Sequence, residues 1–256
     1  MNPVRELSGA GRKVLRAYIN SGKFIKIMIL SALFCPHSQI DNGREKWFPN
    51  GGVVVMLIIG VAGGTGAGKT ALVRGLAGAL ASEGVSVIQL DNYYHDQSRL
   101  SANLREEINF DHPGTLDLDL LVEHLKDLIS GKPIEMPFYD FASHTRVEAK
   151  RRVLPEKYII VEGIFALYHA GIRDLLDLKV FVSLECDLRF IRRLERDISE
   201  RGRTRQSVIR QYLATVRPMH DRHVQPTCVH ADLVLSGDDP VESNVAKILN
   251  RLDALK

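Results

Sequence analysis

Cysteine is scarce in this sequence: Cys35, Cys186 and Cys228 are the only three among 256 residues, and no two of them form a C-x-x-C pair. An odd, widely spaced set excludes a disulfide framework and a zinc ribbon, and predicts reduced thiols in a cytoplasmic protein. Excess charge is lacking as well. A net charge of +3 is too small to imply a nucleic-acid partner, so any anion site has to come from local placement of arginines. No apolar run reaches membrane-spanning length. The stretch from Phe24 to Cys35 is broken by Lys26, and no small-x-small cleavage site follows it, so neither a membrane span nor a cleaved leader is expected. Internal repeats are absent, and so is N-K-x-D, which removes a guanine-specific reading of the D-x-x-G at Asp111–Gly114. What remains is ordinary for a soluble globular chain, 45% hydrophobic and 25% charged, with room for one large α/β domain or two small ones.

The strongest positive signal is Gly63-Gly64-Thr65-Gly66-Ala67-Gly68-Lys69-Thr70, a complete G-x-x-x-x-G-K-[ST] phosphate-binding loop. Its glycines let successive backbone N–H groups converge on one anion. Lys69 adds a point charge for the β- and γ-phosphates, and the Thr70 hydroxyl can ligate Mg²⁺. Leu57-Ile58-Ile59 before it reads as a buried parallel strand. Leu72, Val73, Leu76, Ala77 and Leu80 after it repeat at helical spacing up to Gly84. Strand, glycine loop and helix N-terminus are the parts that hold a nucleoside triphosphate.

Residues 1–55 are a different kind of sequence, with Arg5, Arg12, Lys13, Arg16 and Lys23 ahead of the short apolar stretch. Met56 opens the first core strand, and Asn50-Gly51-Gly52 is encodable by a purine-rich ribosome-binding stretch. Both features point to Met56 as the start and to residues 1–55 as an over-extended frame; a genuine flexible or targeting extension is the rival. The expected division is therefore 1–55 as an extension and 56–256 as the catalytic domain.

Downstream, strands and helices alternate, which predicts a parallel sheet flanked by helices, the α/β P-loop NTPase architecture. Strands are expected at Val85–Leu90, Tyr158–Val161, Lys179–Leu184 and Asp232–Leu235, with a helix capped by Asp117 or Asp119 and ending at Gly131. Pro133 to Leu154 breaks the rhythm and reads as a small antiparallel β insertion. Asp91, just past the second strand, lies where a carboxylate can reach a substrate hydroxyl or the metal, and phosphoryl transfer to an alcohol needs such a group. Glu162 ends an apolar strand, where P-loop enzymes place an acidic group near Mg²⁺.

Arg189, Arg192, Arg193 and Arg196 fall on one face of a helix starting near Asp187, while Leu188, Ile191, Leu194 and Ile198 occupy another. Arg201, Arg203 and Arg205 follow around Gly202, a hinge. Forked guanidinium groups suit phosphate oxygens, so this segment reads as an Arg-rich helical lid over the triphosphate. Nucleic-acid binding fits less well because no aromatic platform is interleaved with the arginines. Pro137-Phe138-Tyr139-Asp140-Phe141 and Ser143-His144-Thr145-Arg146 place aromatic faces and an imidazole together. That suits a stacked base, and equally the core of a hairpin.

Taken together, the GGTGAGKT loop, DNYY, NFDHP, PFYDFASHTR, IIVEGIFAL, RDISERGR, QY and VRPMH resemble the phosphoribulokinase/uridine kinase family over roughly Met56 to Leu235. The uridine–cytidine kinase branch is the most similar. The resemblance implies transfer from ATP, or GTP, to the 5′-hydroxyl of a pyrimidine nucleoside. Asp91 would be the base, assisted by Lys69, Arg196 and Arg201, with Thr70, Glu162 and Asp91 at the metal. It implies that Asp111 holds the ribose hydroxyls, that Tyr139, Phe141 and His144 form the pyrimidine pocket, and that Arg193, Arg203 and Gln211 make further substrate contacts. It also implies assembly of identical chains, commonly as tetramers. One departure is Ser236-Gly237-Asp238-Asp239-Pro240, where relatives commonly carry a Pro-Arg-Gly-like or Gly-Gly turn near the adenine. A sugar- or vitamin-kinase alternative on this scaffold, such as phosphoribulokinase or pantothenate kinase, would call for cations where this chain has aromatics. A non-catalytic nucleotide sensor would not need Asp91, Glu162 and the lid together.

Overall fold

The computed structural model describes residues 40, 41, 44, 45, 56–106, 108–141 and 143–255. The chain divides into two compact units, 1–52 and 53–256. In the first, Ile40–Asp41 pairs antiparallel with Arg44–Glu45. The expectations for residues 1–55, an over-extended frame or a true extension, otherwise lie outside the described residues.

The second unit is built on a five-stranded parallel sheet. Its strands are β1 (Leu57–Gly63), β2 (Val85–Gln89), β5 (Tyr158–Glu162), β6 (Leu178–Ser183) and β7 (Leu233–Ser236), in the spatial order β2-β5-β1-β6-β7. Every residue of β1 is buried, as expected for a central parallel strand covered on both faces. Its alternation divides the core in two. Leu57, Ile59 and Val61 pack with Leu72 and Leu76 of α1 (Lys69–Leu80), and Ile58 packs with Leu121 and Leu125 of α3 (Leu118–Ile129). Asp117 caps α3, accepting from the Leu120 N–H at 3.2 Å, and Gly131 follows the helix with φ 81°.

The insertion is a β-hairpin, β3 (Ile134–Asp140) with β4 (Thr145–Val153), as its prolines and alternation predict. His144 sits in its turn with φ 55°, a left-handed conformation no other described non-glycine residue adopts. Arg146 ties the hairpin to the sheet, donating to the carbonyls of Tyr94 at 2.7 Å and Tyr93 at 3.0 Å and to Asp117 at 3.3 Å. The lid comprises α5 (Cys186–Ser199), a turn through Gly202, and α6 (Arg205–Gln211), and leads into two π-helical turns at Tyr212–Val216 and His220–Val224. No helix among the described residues is long and apolar enough to cross a membrane.

Candidate active site

The carboxyl ends of β1, β2 and β5 converge, because Glu162 is in register with Val61 on one side and Gln89 on the other. The Gly63–Thr70 loop leaves β1 at this edge and turns into α1. Gly66 needs to be glycine twice over: its φ is 76°, and a Cβ there would lie 2.4 Å from the Arg189 carbonyl oxygen. Lys69 reaches back along the loop to donate to the Gly64 carbonyl at 2.9 Å. Burial lowers its pKa to about 8, although Glu162 and Asp91 favour the charged form. Thr70 Oγ1 donates to Glu162 Oε1 at 2.6 Å, and Glu162 is itself buried.

Asp91 follows β2 in the turn Leu90–Tyr93. Its surface is open to solvent, yet it lies in a cleft walled by protein, and partial loss of bulk water raises its pKa. Lys69, Arg201 and Arg196 oppose that rise. Asp91 and Asp111 both act electrostatically on Tyr94, and Asp91 acts on Lys69 as well, so its charge is felt by the P-loop lysine and the aromatic cluster alike.

That cluster gathers Tyr94, Phe110, Tyr139, Phe141 and His144. The Tyr94 and Tyr139 rings lie 5.2 Å apart, Tyr139 and Phe141 meet edge-on at 5.2 Å, and His144 stacks on Phe110 at 4.9 Å with 17° between planes. The Tyr139 hydroxyl and His144 Nδ1 are buried and have no hydrogen-bond partner among the described residues. Burial also pushes the Tyr139 pKa up to about 12, which keeps the hydroxyl a donor. Two unpaired polar atoms between aromatic faces suit a flat, polar-edged ligand. Asp111, close by, has its pKa raised by burial and pulled down by Arg193, whose Nη1 lies 3.9 Å from Asp111 Oδ1.

On α5 the arginine face turns inward. Arg189, Arg193 and Asp197, at i, i+4 and i+8, are its buried residues, whereas Ile191 and Ile198 are exposed. Arg193 donates to Thr65 Oγ1 at 3.2 Å and to Gln211 Oε1 at 3.0 Å, and Arg203 also donates to Gln211. The structure therefore brings Asp91, Asp111, Arg193, Arg196, Arg201, Arg203 and Gln211 to the same cleft as the phosphate loop. Beside the first turn of α1 lies a cavity of about 290 Å³ lined by Gly68, Ala71, Arg192, Gly237, Pro240 and Asn244. Arg192 holds its rim, donating to the Gly237 carbonyl at 2.8 Å and to Asp238 at 3.0 Å.

A family model described as "Phosphoribulokinase / Uridine kinase family" matches residues 58–239. The chain belongs to this family. A uridine kinase from Staphylococcus epidermidis is 49% identical over 178 residues, 70% of this chain and 86% of the relative. A uridine kinase from Deinococcus deserti is 50% identical over 184 residues, 72% of this chain and 89% of the relative. Among solved structures, a putative fructose transport system kinase from Silicibacter sp. TM1040 superposes with a TM-score of 0.57 at 21% identity, covering 70% of this chain and 89% of that one. At that identity the likeness speaks for the family's fold alone.

Several residues of the cleft escape a sequence reading. Tyr94 and Phe110 complete the aromatic cluster, but each was visible only as part of a motif. His220 packs behind the loop beside Arg189, which the arginine pattern had placed on the lid face; a Cβ on Gly64 would lie 2.7 Å from Arg189 Nη1 and 3.0 Å from His220 Cε1. Burial first, and then Arg189, lowers the His220 pKa to about 4, so this imidazole is neutral. Asp197 was concealed among four arginines. The available signal was its helical spacing from Arg189 and Arg193.

Proposed function

We propose that this chain phosphorylates the 5′-hydroxyl of uridine, and of cytidine, using ATP as donor, to give UMP or CMP in pyrimidine salvage. One observation carries the reading: Asp91 leaves β2 two residues after Gln89, which is in register with Glu162, the partner of Thr70, and its charge acts on both Lys69 and Tyr94. The relatives named uridine kinase, about half identical over most of their length, support the choice of nucleoside.

In this reading the triphosphate lies along the Gly63–Thr70 amides with Lys69 on its outer phosphates, and its base enters the cavity between Gly68 and Pro240. GTP is an alternative donor for the same cavity. The nucleoside base lies against Tyr139, Phe141 and His144, and the buried, unpaired Tyr139 hydroxyl and His144 Nδ1 would reach its edge once the rings adjust on binding. Asp111 accepts from the ribose hydroxyls, and Arg193, Arg203 and Gln211 fix that end of the pocket. Asp91 orients the 5′-hydroxyl and takes its proton as the oxygen attacks the γ-phosphorus in line. Arg196 and Arg201, on the lid, meet the charge that spreads over the transferring group.

The hydroxyl of Thr70 and the carboxylates of Glu162 and Asp91 are hard oxygen donors of the kind Mg²⁺ takes, and the short Thr70–Glu162 contact brings two of them together. When bound there, Mg²⁺ neutralises phosphate charge. We place the enzyme in the cytoplasm as an assembly of identical chains, acting on small molecules rather than on nucleic acid or membrane.

A coupled assay with Mg·ATP against uridine, cytidine, ribulose 5-phosphate and pantothenate tests the reading. Turnover of uridine with none of the last two is expected. Turnover of neither nucleoside would refute it.

A further inference from the structure

Asp197 has no part in the chemistry above, yet it is the most deeply buried charge of the lid, with no exposed surface. Four guanidinium groups surround its one carboxylate. Arg196 donates to Oδ1 through Nε at 3.0 Å and Nη2 at 2.8 Å, and Arg201 lies 3.5 Å from the same oxygen. Arg193 and Arg203 approach Oδ2 at 3.5 Å and 3.7 Å without a hydrogen bond. The Asp197 carbonyl also accepts from the Arg203 N–H at 3.0 Å, which pins the turn around Gly202.

One carboxylate cannot saturate four forks. The cluster keeps an excess of positive charge, and Oδ2 stays under-satisfied, so a phosphoryl group with three acceptor oxygens would serve the arginines better. Arg196 and Arg201 thus have two alternative partners, Asp197 or a phosphate, and both already act on Asp91. Arg193 links that choice to both substrates. Its one planar fork touches Thr65 of the donor loop, Asp111 of the acceptor pocket, Gln211 and Asp197.

We infer that Asp197 is a positioning residue, an internal anion that holds Arg196 and Arg201 off the donor until the nucleoside is bound. The inference rests on the nucleoside-kinase reading of the cleft. Its chemical meaning is protection of the donor. Arginines that closed on a P-loop-bound ATP with no acceptor would favour attack by water. The water oxygen would bond to the γ-phosphorus as the bond to the β,γ-bridging oxygen breaks, giving ADP, inorganic phosphate and a proton released to solvent. Keeping the lid arginines on Asp197 suppresses that reaction, and a shift of Arg193 on nucleoside binding lifts the restraint.

The test compares wild type with Asp197→Asn, which keeps the shape and removes the charge. ADP formation is measured with and without uridine, and UMP formation alongside it. Asp197→Asn should raise ADP formation without uridine by about tenfold and raise the ratio of ADP to UMP, while Asp197→Glu returns that ratio toward wild type. In wild type, uridine should tighten binding of a non-hydrolysable ATP analogue, measured by calorimetry, by about 5-fold or more, and Asp197→Asn should abolish that coupling. An unchanged ADP-to-UMP ratio in Asp197→Asn, with a lower Tm and uniformly weaker binding of both ligands, would reduce Asp197 to a structural ion pair and overturn the inference. If Asp197→Asn does not fold, the wild-type calorimetry decides, because absence of coupling overturns the inference without any variant. Failure of wild type to make UMP would strike the kinase reading itself, whereas UMP formation with no coupling strikes only Asp197.

Discussion

At the floor of the cleft, Gly63–Thr70 presents a phosphate site made of backbone, contiguous in sequence and backed by the fully buried strand β1. In the lid, Arg193, Arg196, Arg201 and Arg203 gather long side chains around Asp197, at a helix whose Ile191 and Ile198 face solvent, and in the proposed reading they are the second place where phosphate is met. The N–H groups of the floor are fixed by the strand-to-helix turn before an anion arrives, and its one cation, Lys69, held on the Gly64 carbonyl, has a partner to leave. The lid arginines already have a partner and must leave it. In the proposed reading, binding and commitment are divided between two materials: fixed dipoles that accept the donor first, and side-chain cations that join it later.

Breaking the chemistry between floor and lid should have the largest effect. Asp91→Asn is expected to lower kcat by about 10²- to 10⁴-fold, with Tm and donor Kd nearly unchanged. A kcat close to wild type would move the proton-accepting role to another residue. Next comes the packing of the floor. Leu76 is fully buried between β1 and the last helix (Val241–Asp253), and Leu76→Ala should cost about 2–5 kcal/mol in denaturant unfolding. A loss under about 1 kcal/mol would mean that the floor is not the rigid part.

The two regions should also separate by pH. Lys69 has a pKa of about 8 in the donor-free protein, and a bound phosphate favours its charged form. Donor affinity should therefore fall as pH rises through about 8, by up to about tenfold per pH unit, with proton uptake on binding seen by calorimetry in buffers of different ionisation enthalpy. Guanidinium groups stay charged over this range, so a flat profile to pH 9.5 would shift the electrostatic weight from floor to lid.

Smaller effects belong to the acceptor pocket and the outer lid. His144→Ala removes the stack on Phe110 and one polar edge, and should weaken nucleoside binding by about tenfold while donor Kd stays constant. Equal losses for both ligands would make His144 a structural residue. Ile191→Ala, on the exposed lid face, should change stability by no more than about 0.5 kcal/mol. A larger loss would show that this face is covered in solution.

The same contrast explains how far the sequence could be read. The floor was legible because its geometry depends on neighbouring residues: glycines where backbone must turn, then Lys69 and Thr70 at fixed offsets. Asp91 and Glu162 were legible through topology, since strand ends in a parallel sheet share one edge. Even the hairpin showed in Pro133, Pro137 and the alternation between them. The lid was half legible. Its arginine face could be counted, but whether that face turned inward depended on contacts with Thr65, Asp111 and Gln211, each far away in sequence or in another motif. Asp197, flanked by arginines, looks like any solvated ion pair until the helix is docked. The Arg146 clamp on Tyr93, Tyr94 and Asp117 bridges separations that no local pattern encodes.

The hairpin turn has an evolutionary consequence. With φ at 55°, position 144 suits glycine or asparagine better than histidine, whose strain there costs about 1 kcal/mol or more. A campaign that selected variants for heat resistance alone would be drawn to His144→Gly, and its winners would lose the imidazole that rests on Phe110. Position 144 is therefore one where backbone stabilisation and nucleoside recognition should pull in opposite directions.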